Sequence, residues 1–191
     1  SKKTGASWIS ADMIESMILP YIPNSKLETM FPKRIIRKQT KQSNDLMYSK
    51  YTIKQIAEAY IRQAKSSWDA IEMAVEVAIY ENHDLIIEGH QVHPALISKM
   101  IKRFAKQIKG LVITRHDTNM VAKCSRKFAT KNDWFTCKTK NSDADIKIAR
   151  MICVYSEYFT KEAEINKINI INVDNNFKKQ IKHAVLDLVA K

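Results

Sequence analysis

Charged side chains follow each of the apolar stretches that the sequence offers as strands. They are Asp12 after residues 7–10, Glu88 closing residues 84–88, Arg115 closing residues 111–115, and Asp174 after residues 168–173. Ligands of open parallel sheets bind outside the carboxyl ends of the strands. Two carboxylates and an arginine at those ends could position a magnesium-bound phosphate and an acceptor hydroxyl. Alternatively, a strand-end carboxylate caps the next helix, which suits Asp12 and, still better, Asp174.

The turn after the second apolar run is the second candidate site. It reads Gly89, His90 and Gln91 and continues to His93 and Pro94. A glycine opens this strand-to-helix turn and a proline closes it, so we expect it to line the acceptor pocket. A metal site is the weaker alternative, because the histidines and His116 would have to converge with a carboxylate.

A basic segment between Arg115 and Lys140 offers cations for phosphate groups. It includes Arg126, Lys127 and Lys131. Phosphoryl transfer requires positive charge around the phosphate oxygens and exclusion of water. We therefore predict a mobile lid over residues 126–141. The alternative is a solvated helix face and loop.

Composition sets the broad class of protein. The 191 residues are 45% hydrophobic and 27% charged, as in one ordinary globular domain. No apolar run reaches the roughly 20 residues that cross a bilayer, and the three cysteines form no CxxC pair, so we expect a cytoplasmic protein. The net charge of +12 favours anionic partners, with phosphorylated metabolites and nucleic acid both open. A solvated basic surface would give the same charge.

The order of apolar patterns predicts the fold class. Short apolar runs at 7–10, 84–88, 111–115 and 168–173 alternate with stretches of helical periodicity. This predicts one α/β domain over residues 1–191, with a mostly parallel sheet and helices on both faces. Residues 21–50 have an irregular, basic pattern. Thr52 and Gln55 predict a capping box at the start of a helix.

The three glycines, Gly5, Gly89 and Gly110, are far apart. A phosphate-binding loop needs glycines close together so that backbone N–H groups can approach the phosphates. Neither GxxxxGK[ST] nor GxGxxG occurs in this sequence.

Several motifs, taken in order, resemble the 2-phosphoglycerate kinase family and its plant relatives linked to phytate metabolism. The segment from Ile86 to Pro94 is similar to the family's IEGVHLVP-like turn, and residues 10–14 resemble the start of its STDxIR segment. Residues 127–131 resemble the RFAxR-like lid stretch, and Arg150 begins a segment similar to the IRxIQxYL helix. Glu15 stands where the family has an arginine.

The resemblance implies a P-loop kinase, adenylate-kinase-like, with a three-layer architecture and with ATP and Mg²⁺ as cofactors. Asp12 would orient or deprotonate the acceptor hydroxyl, and Glu88 would act on Mg²⁺ through water. Lys127, Lys131 and Arg150 would hold phosphates. The reaction would transfer the γ-phosphoryl group of ATP to a small phosphorylated acid, 2-phosphoglycerate by resemblance.

The family begins with a strand and a Walker A loop that this sequence lacks. The missing strand lies in the middle of the family's sheet, so the four strands here would flank an empty position with exposed edges. We therefore expect the natural chain to be longer. Two other functions stay open: a polynucleotide or other P-loop small-molecule kinase, and a catalytically inactive basic α/β module that binds RNA or a ribonucleoprotein.

Overall fold

The structure of the protein is a computed structural model that describes residues 5–128, 130 and 133–189. Helices form most of it. In chain order they are α1 (Ala11–Ile18), α2 (Asn24–Met30), α3 (Pro32–Gln39), α4 (Asn44–Lys50), α5 (Ile53–Ala64), α6 (Trp68–Tyr80), α7 (Pro94–Arg103), α8 (Thr118–Lys127), α9 (Ser142–Asn166) and α10 (Phe177–Val189). The strands among these residues are β1 (Ser7–Ser10), β2 (Leu85–Glu88), β3 (Leu111–Thr114) and β4 (Asn169–Asn172).

All four predicted strands are present, each within one residue of its expected bounds. β1 and β2 pair in parallel with Ser10 opposite Glu88. β3 and β4 pair in parallel with Thr114 opposite Asn172. Short apolar runs identify these strands because a parallel strand is covered on both faces by helices.

The α/β class is confirmed, but the strands form two separate sheets instead of one. Within the described ranges β2 pairs only with β1, and β3 pairs only with β4. Helix α7 joins the two sheets. Its Leu96 and Met100 pack in the cluster that includes Ile87 of β2, and its Ile97 packs with Val112 of β3. A three-layer P-loop arrangement would need a further strand between them.

The expectation of irregular structure over residues 21–50 was wrong, because this region forms α2, α3 and α4. Pro32 occupies the first position of α3, where its missing N–H costs no hydrogen bond. Ser43 caps α4 through its side chain, which accepts from the backbone of Leu46. The many charged residues hid the helical periodicity in the sequence. In α3 the cations and the apolar residues share one short helix, so few apolar positions are left to show a repeat.

Helix α9 is the central support of the molecule. It contacts α4, α5, α7 and α8 as well as β3 and β4. Ile148 and Ala149 are fully buried on the face of this helix that meets the other elements. Neither α9 nor any other helix in the described part of the chain is long and apolar enough to cross a membrane. The capping box at Thr52 and Gln55 is confirmed at the start of α5.

The segment predicted as a lid is anchored to α4 in the part that the structure describes. Phe135 is 2% exposed and packs in the cluster of Met47 and Ile148. Asn44, fully buried, donates from its side chain to the Trp134 carbonyl and to Thr139 Oγ1. Residues 129, 131 and 132 lie outside the described residues. Residues 133–140 therefore form a packed connection, and the mobility expected of residues 126–141 stays a prediction.

This packing predicts unequal effects of two neighbouring aromatic truncations. Phe135→Ala should lower the free energy of unfolding by about 3–5 kcal/mol, because it empties a buried site. Trp134→Ala should cost much less, since the Trp134 side chain is 43% exposed. Urea unfolding of the two variants and the native chain measures the difference. Equal stability of the two variants would mean that residues 133–140 do not pack against α4.

Candidate active site

The parallel pairing of β1 and β2 brings the two candidate carboxylates to the same end of one sheet. Ser10 is the last residue of β1 and lies opposite Glu88, the last residue of β2. Ser10 also caps α1, its hydroxyl accepting from the backbone of Asp12. The capping role considered for Asp12 therefore belongs to Ser10, and the Asp12 carboxylate can serve other groups.

Asp12 is held by an amide and an ammonium group. Gln91 Nε2 donates to Asp12 Oδ1 over 2.7 Å, and Lys33 Nζ lies 3.8 Å from the same oxygen. Burial would raise the pKa of Asp12, but the hydrogen bond from Gln91 and the charges of Lys33 and His90 outweigh it and lower the pKa. The carboxylate is thus firmly ionised at neutral pH, while its side chain remains 66% exposed.

Glu88 is the more weakly held of the two carboxylates. Its pKa is raised by burial and by the negative charge of Asp12. This electrostatic interaction is possible because both side chains leave the same end of the sheet. An exposed carboxylate at this position can approach a hydrated cation, as the sequence predicts for Mg²⁺.

Gly89 allows the chain to turn tightly against α1. Its φ is +146°, and a Cβ at this position would lie 2.8 Å from Ala11 Cβ and 2.8 Å from Gln91 Oε1. A side chain would therefore meet two groups that cannot both move away. Through this turn the chain buries Gln91 completely.

Gln91 was predicted to bind substrate, and the structure places its side chain in the interior. The side chain is 0% exposed, and its amide donates to Asp12 and also to Glu15 Oε2 over 3.1 Å. Gln91 therefore positions the Asp12 carboxylate, and its predicted contact with a substrate stays a prediction.

His90 is enclosed by aromatic rings. The centroid of its ring lies 5.5 Å from that of Tyr60 and 6.0 Å from that of Tyr155. Burial lowers the pKa of His90, the charge of Lys33 lowers it further, and Asp12 partly opposes both, so that the pKa falls to about 4. The imidazole is therefore neutral at pH 7.

The three histidines considered as metal ligands do not converge. The imidazole of His93 caps α7, and its Nε2 atom lies 2.8 Å from the Tyr158 hydroxyl. The backbone N–H of His116 donates to the Asp174 carboxylate. Asp174 thus holds the loop after β3, and these hydrogen bonds help to lower its pKa against the effect of burial.

A different set, Asp12, Glu15 and His90, does bring one ligand atom from each residue within 4.8 Å of the others. Both oxygens of Glu15 already accept hydrogen bonds, one from Gln63 over 2.6 Å and one from Gln91. Lys33 Nζ lies 3.9 Å from Glu15 Oε1. The ammonium of Lys33 and the amides of Gln63 and Gln91 thus offset the buried negative charge of Glu15, as a metal ion would otherwise do. We interpret this cluster as a charged hydrogen-bond network and not as a metal centre.

The sequence analysis missed Lys33, Glu15 and Gln63 as parts of this site. Lys33 was hidden in the region interpreted as irregular. The sequence does place Lys33 four residues before Arg37, a spacing that puts both cations on one face of a helix.

The remaining candidate residues lie outside this group. Arg115 stacks over the ring of Phe177 at 5.3 Å from its centroid, and Lys127 lies 5.4 Å from the ring centroid of its neighbour Phe128. Arg150 is exposed on α9. Lys131 lies outside the described residues.

The prediction that Arg126 binds phosphate meets a specific obstacle. Its Nε and Nη2 donate to the two carboxylate oxygens of Asp145 over 2.6 and 2.7 Å. A bidentate pair of this kind uses the edge of the guanidinium that would face a phosphate. Arg126 therefore fastens α8 to α9.

No protein-family model, curated protein or solved structure matches this chain. The resemblance to 2-phosphoglycerate kinases consequently rests on the motifs in the sequence. The function has to be argued from the geometry at the end of β1 and β2.

The environment of His90 predicts a pH-dependent stability. An unfolded histidine titrates near pH 6.5, so between pH 6.5 and about 4 the unfolded chain binds a proton that native His90 does not. Lowering the pH through this window should therefore lower the free energy of unfolding, by on the order of 2 kcal/mol between pH 7 and pH 5. Urea unfolding at several pH values measures this slope.

His90→Gln provides the control, because glutamine has no titration in this range. Its unfolding free energy should depend less on pH than that of the native chain. Burial also lowers the pKa of His93, so some slope should persist in the variant. Identical slopes for the two proteins would show that His90 is not held neutral by the fold.

Proposed function

We propose that this chain is the acceptor-binding part of an ATP-dependent kinase whose acceptor is a small phosphorylated acid. The observation that carries the proposal is the Asp12 carboxylate. It is ionised, exposed at the carboxyl end of β1, oriented by buried Gln91 and accompanied by Lys33. A fixed carboxylate beside a cation suits an acceptor that carries both a hydroxyl and negative charge.

The two carboxylates have separate roles in this proposal. Asp12 accepts a hydrogen bond from the acceptor hydroxyl and directs its oxygen toward the phosphoryl group. Glu88, exposed at the neighbouring strand end, fits a Mg²⁺ ion that keeps its water ligands. The ion supplies charge neutralisation at the transferred phosphate. The raised pKa of Glu88 would fall when a cation binds beside it.

The three-layer P-loop fold is part of the same proposal. The two sheets are supported by the same helix, α7, and the edges of β2 and β3 pair with no strand in the described residues. A parallel strand placed between them would complete one five-stranded sheet and bring its phosphate-binding loop to the end where Asp12 and Glu88 lie. This strand and loop are not in the present sequence.

The phosphates of ATP would meet cations from α8 and α9 in this arrangement. Lys127 and Arg150 are exposed and form no ion pair with a carboxylate in the ranges that the structure covers. Lys131 comes four residues after Lys127 in the sequence and lies outside the described residues. Arg126 is excluded from this role by its pairing with Asp145.

Asp12→Asn tests the proposed acceptor site. In the kinase with its ATP-binding loop present, we expect turnover with 2-phosphoglycerate to fall about 10²-fold or more, because a fixed charge at the reacting hydroxyl is lost. Asparagine can still accept from Gln91, so folding stability should change little. Transfer of labelled γ-phosphate from ATP measures the reaction.

Asp84→Asn is the matched control. Asp84 is exposed just before β2, at the end of the sheet opposite to Glu88, and should be dispensable for turnover. If Asp12→Asn transfers phosphate as fast as the native kinase, the carboxylate at the end of β1 does not serve the reaction. If neither protein phosphorylates the acid, the proposed substrate class is wrong.

A further inference from the structure

Helix α3 presents two cations to one aromatic ring. Lys33 and Arg37 are one turn apart, and both are half-buried. Lys33 Nζ lies 4.9 Å from the centroid of the Tyr60 ring, and Arg37 Nη2 donates to the Tyr60 hydroxyl over 3.1 Å. Like charges at this spacing repel each other, so their convergence on Tyr60 needs a compensating anion.

Carboxylates balance the positive charge of Lys33, but none balances that of Arg37 among the described residues. Lys33 has the carboxylates of Asp12 and Glu15 within 4.0 Å. Arg37 has no carboxylate within that distance among the residues that the structure describes, and it donates only to neutral groups, Asn44 Oδ1 and the Tyr60 hydroxyl. A guanidinium has five N–H donors, so several remain for a ligand.

A buried hydroxyl beside Arg37 provides an independent indication of a ligand. Tyr48 is 4% exposed, and its hydroxyl has no hydrogen-bond partner within the described ranges. Tyr48 follows Asn44, which accepts from Arg37, by one turn of α4, and it belongs to the cluster against which Tyr60 packs. Burial raises the pKa of the Tyr48 hydroxyl, Tyr60 adds to this, and the positive charge of Arg37 opposes it. A buried hydroxyl without a partner costs about 1–3 kcal/mol. An anion bound to Arg37 would accept its hydrogen bond.

A second unsatisfied group lies on the other side of Tyr60. The Nε2 atom of His90 is buried without a hydrogen-bond partner in the part of the chain that is described. The His90 ring lies beside Tyr60 and within electrostatic reach of Lys33 and Asp12. The unsatisfied groups and the two cations therefore lie around the ring of Tyr60.

We propose that Arg37, Lys33 and Tyr48 bind the anionic groups of a small phosphorylated acid. Arg37 and Tyr48 receive one anionic group at the inner end, and Lys33 receives the second between Tyr60 and Asp12. The anion site stands on the contacts of α3 and α4, whereas the orientation of the ligand hydroxyl toward Asp12 rests on the proposed function. Arg37 suits a phosphate or carboxylate because its planar donors can form two parallel hydrogen bonds.

The half-buried position of these cations favours a small ligand over a nucleic acid. A polynucleotide backbone is bound by cations along an open groove or stripe. Here Tyr60 covers Lys33 and Arg37, and Tyr48 lies in the interior. Cations that are half-buried in this way suit a short acid with two anionic groups better than a duplex or an extended strand.

The test is a binding titration of the full chain without ATP. Isothermal calorimetry at fixed ionic strength would compare 2-phosphoglycerate, glycerate and inorganic phosphate as probes. We expect 2-phosphoglycerate to bind at least tenfold more tightly than glycerate or phosphate, since only it has both anionic groups. Arg37→Met and Lys33→Met should each weaken its binding about tenfold or more.

Tyr48→Phe separates a ligand contact from a structural role. It removes a buried hydroxyl that has no partner, so the ligand-free variant should melt at the same temperature as the native chain or higher, while its affinity for 2-phosphoglycerate falls several-fold. Lys38→Met is the matched control, because Lys38 is exposed on the same helix. It removes the same charge and should leave the affinity unchanged.

Three results would overturn the inference. The first is native affinity for 2-phosphoglycerate in both Arg37→Met and Tyr48→Phe. The second is an equal loss of that affinity in Lys38→Met and Lys33→Met. The third is displacement of the acid by an RNA oligonucleotide whose binding needs the same residues. Asp12→Asn should retain binding. Binding without phosphoryl transfer would thus reject the proposed kinase and support the anion site. Transfer with unchanged KM in the Arg37→Met and Tyr48→Phe variants would reject only the anion site.

Discussion

Glu15 receives hydrogen bonds from two buried amides, and the candidate site depends on this arrangement. Gln91 donates to it from the turn after β2, and Gln63 donates to it from α5. Gln63 also accepts from the backbone N–H of Arg34 on α3. One carboxylate of α1 thereby fixes the relative positions of α1, α3, α5 and the β2–α7 turn. Breaking such a buried network by removing one partner leaves an uncompensated polar group, which is far more costly than losing a surface ion pair.

This network explains how residues that are far apart in sequence come together around Tyr60. It holds α3 against α5, so Lys33 and Arg37 face Tyr60. It also holds the Gly89 turn against α1, so Asp12 is oriented and His90 is directed toward the same ring. Because the amides hydrogen-bond and the ammonium of Lys33 balances charge, Glu15 can remain 9% exposed without a metal ion.

The sequence predicts local features well and the network poorly. Continuous apolar runs located the strands, and the residues of the capping box located the start of α5, because each depends on neighbours in the chain. Glu15 and Gln91 are joined across 76 residues, so neither could be recognised as a partner from its own surroundings. The same limit applies to Arg126, whose basic context suggested a phosphate ligand while its actual partner lies on α9. The burial of Phe135 could not be predicted, because one buried aromatic residue in a polar stretch leaves no periodic signal.

The strand-end rule predicted Asp12 and Glu88 at one end of a sheet, and their catalytic roles remain proposals. The pKa of Asp12 limits what its proposed role can be. A carboxylate whose pKa lies below its ordinary value is a weak base, since proton transfer is efficient when the pKa is near the working pH. Phosphoryl transfer through a loose transition state develops little charge on the attacking hydroxyl before bond formation, so it demands orientation more than deprotonation. An anion that draws Lys33 away from Asp12 would also raise the pKa of that carboxylate. Substrate binding would thus strengthen Asp12 as a hydrogen-bond acceptor at the moment when the hydroxyl has to be aligned.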